Sequence, residues 1–79
     1  MAWNRRFRSP IVLGDGHYLE TVRDAAEFAL FLPATSKNSG EWDLVLDLSW
    51  RAARDDATNS DIDALKERVV IALKAEGLI

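Results

Sequence analysis

The stretch PIVLGDGHYLETV, residues 10–22, constrains this chain more than any other. Two runs rich in β-branched and aromatic residues, Ile11–Leu13 and His17–Val22, flank Gly14-Asp15-Gly16. An Asp-Gly pair supplies the positive φ that tight hairpin turns require, and Pro10, which lacks an N–H, fits the start of a strand. Everything after Val22 reads as helix and loop. A two-stranded hairpin is marginal by itself in water, so it must lie against helices. The fold class that follows is α+β in the order β-β-α-α-α, one small domain over residues 1–79, with a sheet edge left open to pairing with another chain.

Three helices are expected, over 22–32, 41–55 and 61–76, behind a flexible lead-in (1–6) and the hairpin (7–22). Thr21 with Asp24 has the spacing of a capping box, and Pro33 stops the first helix at Leu32. VRDAAEFALFLPA is apolar nearly all round after its first turn, which predicts a central, buried helix. ATSKNSG reads as a loop. In the second helix Trp42, Val45, Leu46, Ser49, Ala52 and Ala53 share a stripe, while Asp47 and Arg51 stand four apart on the other side. Ser60 and Asp63 repeat the capping spacing ahead of Ile62, Leu65, Val69, Ala72 and Leu73, and Gly77 suits a left-handed cap with Leu78 folding back.

Composition removes several chemistries. The chain has no cysteine and one histidine, so it offers neither a disulfide framework nor a thiolate, and almost no material for a transition-metal site. The apolar run after the basic start is too short for a secretory h-region, and no segment approaches the ~20 apolar residues of a membrane helix. A cytoplasmic protein without membrane attachment is the expectation. His17 with Asp15 could serve as a general base, but serines 9, 36, 39, 49 and 60 lie in no nucleophile motif. The Gly-x-Gly at 14–16 precedes a strand where a phosphate-binding turn would precede a helix. Asp55, Asp56, Asn59, Asp61 and Asp63 gather oxygen ligands without the glycine and closing glutamate of a calcium loop. No catalytic residue, metal ligand or cofactor site is therefore expected.

Two surfaces remain. WNRRFRSP places Arg5, Arg6 and Arg8 among aromatic residues, a pattern that can clamp phosphates and stack bases. The net charge is −3, however, so residues 9–79 carry −6, unlike a protein whose affinity comes from neutralising phosphates. The alternative is that Phe7 enters the core and the arginines pair with acids on the helices. Trp50, Val70 and Ile71 fall beside the main stripes of their helices and suggest an association surface for a second copy or another protein.

Phe7 and Pro10 of FRSPIV, the hairpin, TVRDAAEFAL, Leu32-Pro33 and the closing VVIALKAEGLI together resemble a small bacterial family known as domain of unknown function 982. Leu32 stands where that family commonly has tryptophan, and EWDLVLDLSW replaces an alanine- and cysteine-bearing helix. The resemblance implies the same α+β fold and brings no activity or site residue with it. The function expected is non-catalytic binding or protein interaction, with binding of nucleic acid or another anion through the N-terminal arginines as the alternative.

Overall fold

The computed structural model describes residues 2–31 and 39–79, and within them the chain runs β1 (Arg6–Val12), β2 (Tyr18–Thr21), α1 (Val22–Phe31), α2 (Ser39–Ala52) and α3 (Asn59–Ala75). This is the β-β-α-α-α order. Pro33 and most of ATSKNSG lie outside the described residues, while Ser39 and Gly40 belong to the first turn of α2.

β1 and β2 pair antiparallel with Arg6 opposite Thr21, Ile11 opposite Leu19 and Val12 opposite Tyr18. Between the first two of these pairs the register breaks, and Phe7–Pro10 of β1 stand against Glu20 alone. Pro10 thus falls inside a bulged stretch, not at the strand start, and its missing N–H removes no rung from the ladder. Gly16 turns the hairpin at φ 91°, and its N–H donates to Leu13 O at 3.0 Å. Alternation then sorts the strands: Phe7, Ile11, Leu13 and Leu19 enter the core, while Val12 and Tyr18 face outward. β1 rests on α3 and β2 on α1.

α3 buries Ile62, Leu65, Val69, Ala72 and Leu73, the five positions its periodicity selects. α2 adds Trp42, Val45 and Ala52, joined by Ala53 just past its end, with Ser49 buried among them and its hydroxyl satisfied by Val45 O at 2.7 Å. α1 departs from expectation. Its buried face is Val22, Ala25, Ala26 and Ala29, whereas Leu30 is 67% and Phe31 84% exposed. The reason is coverage: among the described residues β2, α2 and α3 all pack on one side of α1, the side its small residues present. Small residues on the buried face allow α2 to approach closely, and Phe28 fills the remaining space against Trp42, with ring centroids 5.4 Å apart.

Both ends of α3 are closed by side chains and turns. The N-cap is Thr58, two residues before the expected Ser60: Thr58 Oγ1 accepts from Asp61 N at 3.3 Å and Thr58 N donates to Asp61 Oδ2 at 2.9 Å. TNSDID carries the capping spacing in two frames, and the earlier one leaves Asp63 free for another partner. At the C-terminus Gly77 (φ 75°) allows Leu78 N to donate to Leu73 O at 2.9 Å and Gly77 N to Lys74 O at 3.1 Å, the paired bonds of a Schellman cap. Leu78 O then accepts from Gly14 N at 2.7 Å, and a Cβ at Gly14 would sit 3.1 Å from that oxygen. The helix end is thereby fastened to the hairpin turn.

Replacing Thr58 by alanine is expected to cost about 1 kcal/mol, or roughly 4–8 °C in Tm, whereas Ser60→Ala should stay within about 0.5 kcal/mol. Urea denaturation of the two variants side by side distinguishes the frames.

Candidate docking groove

Residues 2–5 are not a loose lead-in. Ala2 N donates to Ala53 O at 2.6 Å, Trp3 O accepts from Arg23 N and Arg5 O from Val22 N, both at 3.0 Å. The segment therefore crosses from the end of α2 to the start of α1. This path lays the indole of Trp3 edge-on against Trp50, with centroids 5.0 Å apart and planes at 79°, a favourable geometry for an aromatic pair.

The pair closes one end of a groove between α1 and α2. Ala26, Leu30 and Leu46 line the rest, and Arg23 with Glu27, ion-paired at 3.0 Å, stands on its rim. Its volume is about 480 Å³, and Trp50, 56% exposed, is its largest open side chain. The sequence singled out Trp50 but not its neighbours. Arg23, Glu27 and Leu30 fall on the stripe left over once 22, 25, 26 and 29 are assigned to the core, a pattern that the apolar run through Leu32 conceals.

Trp50, Val70 and Ile71 do not form one surface. Ile71 lies in a separate groove with Leu44 and Leu48 between α2 and α3, and Val70 packs partly buried against the core. At ~100° per residue the Leu44/Leu48 and Leu46/Trp50 rows stand roughly 160° apart on α2.

The three N-terminal arginines go to different places. The Arg5 guanidinium donates to Ala57 O and, at 3.0 Å, to Asp55 O, joining the segment to the α2–α3 connection. Arg8 pairs with Asp63 at 3.3 Å, beside Ser9 Oγ, which accepts from Lys66 Nζ at 2.6 Å. Arg6 is exposed at the start of β1. Phe7 is in the core. The acids at 55–63 are likewise engaged: Asp61 caps α3, Asp63 holds Arg8, and Asp56 pairs with Arg54 at 3.4 Å. Among the described residues no three metal-ligating side chains gather, and no helix is long and apolar enough to cross a membrane.

His17 and Asp15 meet on the hairpin turn, His17 Nδ1 lying 2.8 Å from Asp15 Oδ2 and His17 N donating to Oδ1 at 3.1 Å. The backbone bond, then the imidazole, hold the Asp15 carboxyl below the usual aspartate range. The pair stands in open solvent, and among the described residues no hydroxyl is hydrogen-bonded to it. No family model, curated protein or solved structure matches the chain.

Two outcomes follow from this geometry. Arg5→Ala should cost about 1–3 kcal/mol, because it frees two carbonyls of the α2–α3 connection. Arg5→Lys should recover only part of that in thermal unfolding, since an ammonium lacks the planar fork that reaches both. For Asp15, a depressed folded pKa means that its contribution to stability is present above the unfolded value of about 4 and is lost as pH falls through the folded one. NMR titration should place its midpoint below that of an unstructured aspartate, and His17→Ala should raise it.

Proposed function

We propose that this domain is a non-catalytic, cytoplasmic protein-interaction module that takes its partner in the groove between α1 and α2, and that it stands with the small bacterial family its sequence resembles. The observation that carries this reading is the exposure of Trp50 and Leu30 around one concave apolar site whose rim holds one positive and one negative side chain. Full burial of a large apolar side chain is worth roughly 1.5–3 kcal/mol, so two such anchors supply a useful share of an interface. Tryptophan in particular dominates binding energy where it is desolvated by a partner.

The rival readings draw less support. Catalysis needs groups that converge, and among the described residues the His17 side chain meets Asp15 alone. Anion binding would rely on Arg6 and on freeing Arg5 or Arg8 from the contacts they make within the fold.

Photocrosslinking in host cells tests the interaction reading. A benzoylphenylalanine at position 50 should yield discrete crosslinked products that the same group at exposed Lys74 does not. Adding Leu30→Asp, which alters a side chain already in solvent, should remove those products while thermal stability stays within about 0.5 kcal/mol. Identical patterns from positions 50 and 74 would exclude the groove.

A further inference from the structure

We propose that Ser9 is a phosphorylation site, the substrate of an arginine-directed serine kinase, and that Lys66 holds the phosphate it receives. The site lies where β1 rests on α3, and none of its residues lines the α1–α2 groove, so it stands whatever that groove binds. Its first support is the bulge. By alternation Ser9 falls on the same side of β1 as Phe7 and Ile11, which are buried, yet Ser9 is exposed together with Arg8 and Pro10. Phe7–Pro10 stand against Glu20 alone, and this excess of chain lifts the hydroxyl out of the core side. An extended segment with an outward hydroxyl is the form in which a kinase cleft takes its substrate.

Charge is the second support. Arg6 and Arg8, both exposed, stand three and one positions before Ser9. Kinases choose substrates by such charge patterns. The third is the group already at the hydroxyl: Lys66 Nζ donates to Ser9 Oγ at 2.6 Å. An ammonium has three donors, so it can pass from the hydroxyl to phosphate oxygens in nearly the same place. Arg8 pairs with Asp63 at 3.3 Å, but side chains 76% and 43% exposed gain little from pairing, and Arg8 can turn to the stronger anion beside it.

In the transfer Ser9 Oγ attacks the γ-phosphorus of MgATP, the bond to the β–γ bridging oxygen breaks, and ADP leaves. The hydroxyl proton passes to the catalytic aspartate of the kinase. The product carries about −1.5 to −2 charge at pH 7 and ties β1 to α3 through charge-assisted hydrogen bonds.

The test treats the folded full chain with the catalytic domain of an arginine-directed serine kinase and MgATP, and maps the product by tandem mass spectrometry. One phosphoryl group should enter, at Ser9, and Ser9→Ala should abolish it. Arg6→Ala, which alters a side chain already in solvent, should lower kcat/KM roughly tenfold. Transfer to a peptide of residues 3–12 without transfer to the folded chain would overturn the proposal, as would transfer to neither. Phosphorus NMR then reads the role of Lys66. A phosphoserine titrates at about pH 6, and the ammonium should lower that midpoint by about half a unit or more, with Lys66→Gln restoring it. A midpoint indifferent to Lys66→Gln would overturn the assignment of Lys66.

Discussion

Residues 2–5 tie the start of α1 to the end of α2 and to the connection that follows it. A helix leaves its first N–H groups and last C=O groups without partners inside itself. Here Trp3 O and Arg5 O take the N–H groups of Arg23 and Val22 at the start of α1, while Ala2 N and the Arg5 guanidinium serve the carbonyls of Ala53, Asp55 and Ala57 beyond α2. Thr21 Oγ1 accepts from Asp24 N at 3.2 Å, and Asp24 Oδ2 accepts from Thr21 N at the same distance, completing that end of α1. One short segment thus fixes how α1 sits beside α2, and the groove between them takes its shape from that. Trp3 could not reach Trp50 otherwise.

Much of this was legible where local signals agree with global packing. The stripe on α3 identified its buried side, Gly77 its end, and Asp15-Gly16 the hairpin, because periodicity, turn chemistry and capping each depend on neighbours a few positions away. α1 was misread for the opposite reason. Its run of alanines, phenylalanines and leucines is so uniformly apolar that only tertiary packing could decide which side faces the core, and the small residues won because they let α2 come near. The two overlapping capping frames around Thr58 and Ser60 are equally ambiguous to a local rule.

The basic segment shows a different limit. That Phe7 is core and Arg8 pairs with a helix acid follows one of the two readings the sequence allowed. The role of Arg5 was out of reach, since its acceptors are main-chain carbonyls about fifty residues on that carry no side-chain signature. Trp50 could be suspected from its place beside the α2 stripe, but Trp3 could not be assigned to it, for the same reason. Long-range backbone bonds are silent in sequence.

The fastening of Gly14 to Leu78 has a consequence for how the chain comes to be folded. That contact spans residues 14 and 78, while the N-terminal stitches span 2 and 53, and 5 and 57. The spans interleave, so no cut divides the chain into two pieces that each hold their own contacts. A growing polypeptide can form the hairpin and individual helical turns early, because those need only local residues. The arrangement of these parts must wait until the cap of α3 is available, which makes residues 2–78 a single cooperative unit that closes only once Leu78 can meet Gly14.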